Sequence, residues 1–97
     1  MIRVSKSSIS NKEIETVKKV LKNKFLGMGP EVKRFEDLLR KFFKRDVCCF
    51  NSGTAALQIA LQSCGIGRGD EVLVPCITYV ATYQAISATG AKSILCD

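Results

Sequence analysis

The sequence predicts an α/β fold in which two helices precede a strand, helix, strand, helix and strand. Three observations support it: apolar residues at helical spacing in the first half, a change of that spacing after Arg45, and glycines and prolines that separate the later segments. Strands that alternate with helices pair in parallel, because each helix returns the chain to the same edge of the sheet. We therefore expect a helical segment over residues 1–45 and the start of a parallel-sheet domain over residues 46–97.

Two amphipathic helices are predicted in the first half. Ser10, followed three residues later by Glu13, is a capping-box pattern that predicts a helix over about residues 11–24. Two glycines around Met28 predict a turn, and Pro30 suits the first position of a second helix. The second helix has a wide apolar stripe, which we expect to pack on another part of the protein. The stripe consists of Val32, Phe35, Leu38, Leu39, Phe42 and Phe43.

Three strands and two helices are predicted in the second half. Residues 47–50 form a short apolar run, which is typical of a strand buried on both faces. The helix that starts within residues 51–54 is apolar nearly all round, which predicts burial on several sides. The remaining predicted elements are a strand over residues 71–74, a helix over residues 78–89 and a strand over residues 92–96.

Charge is unevenly distributed along the chain. Residues 1–45 carry thirteen Lys and Arg against five Asp and Glu, whereas residues 46–97 carry two against four. A basic helical half is typical of a protein that attracts a phosphate-bearing partner, such as a nucleotide or nucleic acid. We favour a solvated helix face and no nucleic-acid partner, because the lysines alternate with a regular apolar stripe. A basic nucleic-acid-binding fragment stays an alternative.

Histidine and cysteine usage excludes several kinds of site. Without histidine, the chain holds no Ser/His triad and no Cys/His metal site of its own. The five cysteines are odd in number and lack Cys-x-x-Cys spacing, which predicts reduced core residues. No apolar run approaches the roughly 18 residues of a membrane span, and residues 1–11 lack the apolar stretch of a signal peptide. We expect a cytoplasmic protein with no membrane partner.

Two segments are candidate binding sites, because each lies where a strand ends and a helix begins, the edge at which α/β sheets bind ligands. At the first, Ser52, Gly53 and Thr54 offer N–H groups, hydroxyls and a residue without a Cβ, which suits a phosphate. Plain N-capping by Ser52 or Thr54 fits the sequence equally well. At the second, the ring of Tyr79 is placed to cover a flat ligand, although periodicity alone favours a core tyrosine with its hydroxyl bonded at the rim.

Four segments carry a resemblance to a known family. They read FLGMGPEVKRFE, NSGTAALQIAL, GIGRGDEVLVP and TYVATYQAISATGAK. Together and in this order they resemble the N-terminal part of the DegT/DnrJ/EryC1/StrS family of pyridoxal-phosphate sugar aminotransferases. The resemblance implies the N-terminal part of a fold type I PLP-transferase large domain, similar to that of aspartate aminotransferase. It also implies a homodimer, a nucleotide-linked 3-keto or 4-keto hexose as substrate, and glutamate as the amino donor.

The resemblance also implies roles for individual residues. Gly53, Thr54 and Ala55, preceded by Ser52, correspond to the turn that holds the phosphate of pyridoxal 5'-phosphate. Tyr79 corresponds to an aromatic residue that stacks on the pyridine ring of that cofactor.

A further set of residues concerns the substrate and the chemistry. Gly27, Met28 and Gly29 correspond to a substrate-side loop. The family's Schiff-base lysine and the acid that faces the pyridine nitrogen correspond to positions beyond Asp97, which itself matches a different acidic residue. We therefore expect no transaminase activity from the 97 residues alone. A non-catalytic remnant or binding module stays an alternative.

The resemblance has a consequence for strand pairing. In the family's seven-stranded, mostly parallel sheet, the strand at residues 47–50 lies at one edge, and those at residues 71–74 and 92–96 lie together towards the other. The strands between them correspond to sequence beyond Asp97. We therefore expect residues 47–50 to have no partner strand within this chain, and the isolated chain to be aggregation-prone or molten.

Overall fold

A computed structural model describes residues 5–97. In this part of the chain the elements are α1 (Asn11–Lys22), α2 (Pro30–Phe43), α3 (Gly53–Ser63), β1 (Glu71–Pro75), α4 (Val80–Thr89) and β2 (Lys92–Cys96). None of these helices has both the length and the apolar character needed to cross a bilayer. The chain divides into two compact units, Met1–Val47 and Cys48–Asp97. The predicted α/β class is confirmed.

Helix α1 begins at the predicted capping box. The Ser10 N–H donates to Glu13 Oε2 at 2.7 Å, and the Ser10 Oγ accepts the Lys12 N–H at 3.2 Å. These bonds satisfy N–H groups that the first turn of a helix leaves without helical partners. The hydrogen bonds from the Ser10 hydroxyl and N–H hold the pKa of the Glu13 carboxyl below its ordinary value. The helix ends at Lys22, slightly before the predicted end.

Helix α2 begins at Pro30 as predicted, after the N-cap Gly29. It ends at Phe43, where Lys44 adopts a left-handed conformation with φ of 53°. Its apolar stripe contains no buried residue, and Phe42 is 79% exposed although its ring contacts that of Phe43 edge-to-face. No part of residues 5–97 covers this stripe, which the sequence predicts to pack on another part of the protein.

Strands β1 and β2 pair in parallel through the crossover helix α4, with a register that runs from Glu71 opposite Lys92 to Pro75 opposite Cys96. Both predicted strands are confirmed, the first with Pro75 added. Helix α4 packs on both strands and begins at Val80, two residues later than predicted. A small apolar core results, formed by Val74, Ile86 and Ala91.

Residues 47–50 form no strand. The prediction of a buried strand here is wrong for this chain, and Phe50 is 43% exposed. The physical reason is pairing, because a strand needs a neighbour for its N–H and C=O groups and no described strand lies beside this segment. The strand order of the family predicts this absence of a partner strand for residues 47–50.

Two predictions of burial in the second unit are also wrong. Helix α3 packs on α4, yet none of its residues is buried, and Leu57 and Ile59 are 45% and 40% exposed. None of the five cysteines is buried, so they are not core residues. A two-stranded sheet and two helices form too few layers to enclose side chains on several sides.

Candidate phosphate-binding site

The candidate site is the N-terminus of α3. Ser52 is the N-cap, with extended backbone, and its Oγ accepts the Ala55 N–H at 3.2 Å. The Ser52 carbonyl accepts the Ala56 N–H at 3.1 Å and so begins the helical hydrogen-bond pattern. The prediction of N-capping is therefore confirmed for Ser52, whereas Thr54 lies inside the first turn.

Two N–H groups in this turn have no acceptor. Those of Gly53 and Thr54 donate to no atom of the described residues. The first N–H groups of a helix point out along its axis and give its N-terminus a partial positive charge. This geometry suits an anion with several oxygen atoms, such as a phosphate.

Gly53 has open space beside it. A Cβ added at this residue would meet no atom within 4 Å, and its φ lies outside the left-handed region. Neither backbone conformation nor packing within the described chain therefore requires a glycine here. The space leaves the backbone at Gly53 accessible to a ligand atom.

The other possible donors of this turn are the Ala55 N–H and the Thr54 hydroxyl. The Ala55 N–H already has Ser52 Oγ as a partner, so fewer amides are available than the three that the family resemblance implies. Thr54 is half-buried, and its hydroxyl has no hydrogen-bond partner among the described residues. The assignment of Ser52, Gly53, Thr54 and Ala55 to a cofactor phosphate stays a prediction.

The second unit directs two helix N-termini to the same edge of its sheet. Helix α4 follows the carboxyl end of β1 directly, and α3 packs along α4. The C-terminus of α3 leads into the N-terminal end of β1 through residues 64–70. Helix α4 thus runs back against the strands and α3 runs beside α4, so both helices open at the carboxyl end of β1, the edge at which α/β sheets bind ligands.

Tyr79 lies at this edge as the N-cap of α4. Its side chain is 79% exposed, and its hydroxyl has no hydrogen-bond partner among the described residues. The expectation of a core tyrosine bonded at the rim, which periodicity alone favours, is therefore wrong for Tyr79. The ring is accessible to a flat ligand, and its stacking role stays a prediction.

Periodicity predicts a core tyrosine with its hydroxyl bonded at the rim for Tyr79, but it is Tyr83 that has this environment. It is half-buried, and its hydroxyl donates to the Pro75 carbonyl oxygen at 2.8 Å. Tyr83 is not among the predicted site residues. The available signal is a large aromatic residue one turn into a helix of mostly small residues.

The predicted substrate-side loop lies between α1 and α2, in the unit Met1–Val47. A Cβ at Gly29 would collide with the ring of Phe25, which is exposed and would have to shift, whereas one at Gly27 would meet no atom within 4 Å. Met28 is 69% exposed. A cleft of about 310 Å³ borders the loop, and its lining includes Val20, Phe25, Leu26, Gly27, Gly29 and Pro30. The role of this loop stays a prediction.

Known proteins are similar to almost all of this chain. Residues 7–97 match the sequence profile of the DegT/DnrJ/EryC1/StrS aminotransferase family. A dTDP-4-dehydro-2,3,6-trideoxy-D-glucose 4-aminotransferase of Saccharopolyspora spinosa is 33% identical over 100 residues, which cover 100% of this chain and 26% of the relative. A UDP-2-acetamido-2-deoxy-3-oxo-D-glucuronate aminotransferase of Pseudomonas aeruginosa is 38% identical over 98 residues, which cover 99% of this chain and 27% of the relative.

A solved structure shows the same fold. The putative sugar aminotransferase Spr1654 from Streptococcus pneumoniae, in its PMP form, superposes with a TM-score of 0.88 at 35% identity, over 99% of this chain and 24% of its own. The chain thus spans about a quarter of the length of the relatives that it matches and corresponds to their N-terminal segment. The predicted fold class is confirmed, and the chain belongs to the DegT/DnrJ/EryC1/StrS aminotransferase family.

Proposed function

We propose that the protein to which this chain belongs is a pyridoxal 5'-phosphate-dependent aminotransferase that acts on nucleotide-linked keto-sugars in amino-sugar biosynthesis. The observation that carries the proposal is the open turn at Gly53 and Thr54, with its two N–H groups, in a chain of this family. The two relatives support the substrate class, because their names describe aminotransferases for dTDP-linked and UDP-linked sugars.

The turn at the start of α3 binds the cofactor phosphate in this proposal. The N–H groups of Gly53 and Thr54 and the Thr54 hydroxyl donate to phosphate oxygens, and the helix N-terminus stabilises their negative charge. Ser52 keeps the first turn closed through its bond to the Ala55 N–H. Ala55 is a site residue in this proposal through its place in the same turn, and its N–H keeps Ser52 Oγ as its partner.

Tyr79 orients the cofactor ring in this proposal. An exposed aromatic ring at the same sheet edge stacks on a flat heteroaromatic group and excludes water from one of its faces. When bound, the cofactor supplies the electron sink that amino transfer requires. In this proposal the loop formed by Gly27, Met28 and Gly29 faces the sugar substrate.

The remaining parts of the proposal concern the whole protein. The lysine that bonds to the cofactor and the acid that faces its pyridine nitrogen lie after Asp97, and glutamate is the amino donor. The active protein is a homodimer in the cytoplasm. Family resemblance supports the catalytic residues, the donor and the dimer.

The gene sequence after Asp97 is the first test. A downstream lysine and aspartate at the positions of the family support the enzyme. A stop codon directly after Asp97 would contradict it and favour the non-catalytic remnant or binding module. Salt-dependent binding of DNA by this chain would favour the nucleic-acid-binding fragment instead.

Amino transfer is the second test, made on the full-length protein, meaning this chain with whatever sequence follows Asp97 in its gene. We expect an amino sugar and 2-oxoglutarate from glutamate and a nucleotide-linked keto-hexose, only when pyridoxal 5'-phosphate is supplied. Gly53→Asp should abolish the reaction, because a carboxylate in the turn repels the phosphate. Gly67→Ala controls for replacing a glycine outside the turn, since an added Cβ there makes only an ordinary contact with Thr89, 3.7 Å from its carbonyl oxygen. Equal loss of activity in both variants would contradict the proposal.

A further inference from the structure

The hydroxyl of Tyr83 reaches from α4 back to the end of β1. It donates to the Pro75 carbonyl oxygen at 2.8 Å and lies 3.3 Å from that of Cys76. Pro75 is the last residue of β1, and Cys76 begins the turn that follows. The bond therefore joins the first turn of α4 to the point where the chain leaves the sheet.

The ring of Tyr83 is held independently of its hydroxyl. It packs against the core formed by Val74, Ile86 and Ala91. This core fixes the position of the ring. The hydrogen bond from the Tyr83 hydroxyl to Pro75 therefore holds the end of β1 against α4. A phenylalanine ring would keep the same packing and lose only the bond.

The turn between β1 and α4 presents Tyr79, and it is restrained at both ends. At its far end the Thr78 and Thr82 hydroxyls lie 3.0 Å apart, and the Thr82 N–H donates to the Tyr79 carbonyl oxygen at 3.0 Å. At its near end the restraints are the Tyr83 hydroxyl and the bond of 2.9 Å from the Cys76 N–H to the Cys96 carbonyl oxygen. Between them Ile77 is 97% exposed, so side-chain packing does not hold the turn.

We propose that Tyr83 is a positioning residue for Tyr79. Its bond to Pro75 limits the conformations of residues 76–79 and so keeps the Tyr79 ring at the carboxyl edge of β1. The inference rests on the proposed function in one respect, namely that Tyr79 covers the cofactor ring. Without the bond, the turn is less ordered before the cofactor binds. Ordering the turn on binding costs free energy, which lowers the affinity for the cofactor.

The experiment compares two variants of the full-length protein, Tyr83→Phe and Tyr79→Phe. Each removes one hydroxyl, but only that of Tyr83 has a partner within the described chain. In Tyr83→Phe we expect hydrogen exchange of the Cys76 and Thr82 amides, the hydrogen-bonded N–H groups at the two ends of the turn, to become about two- to tenfold faster when measured without cofactor, the range for loss of one neutral hydrogen bond. Affinity for pyridoxal 5'-phosphate should fall by a similar factor. Tyr79→Phe should leave the exchange unchanged.

Three results would overturn the proposal. One is unchanged exchange of the Cys76 and Thr82 amides in Tyr83→Phe. Another is faster exchange with unchanged affinity for pyridoxal 5'-phosphate. The third is loss of cooperative melting in Tyr83→Phe, because the bond would then support the whole sheet rather than the turn. A wild-type protein that binds no pyridoxal 5'-phosphate would contradict the proposed function instead, and the exchange comparison would still decide whether Tyr83 restrains the turn.

Discussion

The two compact units differ in what defines them. The helices of Met1–Val47 begin and end at local signals, a capping box before α1 and a proline at the start of α2, yet neither helix contains a buried residue. The unit Cys48–Asp97 contains every buried residue of the described chain, and they are Val74, Ala81, Ala85, Ile86 and Ala91. Local sequence is thus sufficient to specify a helix, whereas a core requires residues that are distant in the sequence.

This difference has an energetic consequence. Helices of 12 and 14 residues are marginal in water without tertiary packing. The apolar face of α1 is more than half exposed at Ile14, Val17 and Leu21, so it contributes little burial free energy in the described chain. The second unit has a core, but a small one. Neither unit has the burial expected of a whole domain.

The largest expected effect concerns the isolated chain of 97 residues. We predict that it aggregates or is molten, because exposed apolar helix faces and the unpaired segment 47–50 offer surfaces to other copies. In a monodisperse monomer, hydrogen exchange of the amides of residues 47–50 should be fast. Strong protection there together with a cooperative melt would show that the chain closes its own sheet, and would contradict the strand order of the family.

A second prediction compares one apolar residue from each unit in the full-length protein. Ile86→Ala, at a side chain that is 2% exposed, should lower the free energy of unfolding by about 2–4 kcal/mol, because it leaves a cavity. The pattern of the α2 stripe predicts that another part of the protein covers it. Leu38→Ala, in that stripe, should therefore lower the free energy of unfolding by more than about 1 kcal/mol. Denaturant unfolding measures both. A change below about 0.5 kcal/mol for Leu38→Ala would show that the stripe stays exposed.

A third prediction separates folding from binding at Gly53. Gly53→Ala should leave the free energy of unfolding unchanged or slightly higher, because its Cβ meets no atom and alanine favours a helix. Affinity for pyridoxal 5'-phosphate should fall about 10- to 100-fold, because the added Cβ keeps the phosphate out of reach of the Gly53 N–H, and this is the range for loss of a hydrogen bond to a charged group. Thermal melting and absorbance titration of the full-length protein, beside Gly67→Ala, measure the two effects. Unchanged affinity would show that the phosphate lies elsewhere.

The smallest expected effect is the pH dependence of the α1 capping box. Its hydrogen bonds lower the pKa of Glu13, so the ionised carboxylate stabilises the helix start. This contribution is fully present above the pKa of the unfolded chain and is lost as the pH falls through the lower folded value. NMR titration of the Glu13 carboxyl should show the lowered pKa, and Ser10→Ala should return it towards its ordinary value. An identical titration in both proteins would contradict this explanation.

The features that the sequence by itself determined are local ones. They include the capping box of Ser10 and Glu13, the start of α2 at Pro30, the bounds of β2, and the turn at Ser52 and Gly53. Each depends on interactions between residues a few positions apart, so short patterns are enough to predict it. The family was recognisable for a related reason, because its motifs occur in order along the chain.

Only the tertiary structure decided pairing, burial and the partner of each hydroxyl. It showed that residues 47–50 lack a neighbouring strand, that α3 is not buried, and that Tyr83 rather than Tyr79 is bonded at the end of β1. An apolar run looks the same whether or not a partner strand exists, and a tyrosine at a helix start looks the same whether its ring faces the core or solvent. These properties depend on which distant segments meet, because strand pairing and burial are set by contacts between residues far apart in the sequence.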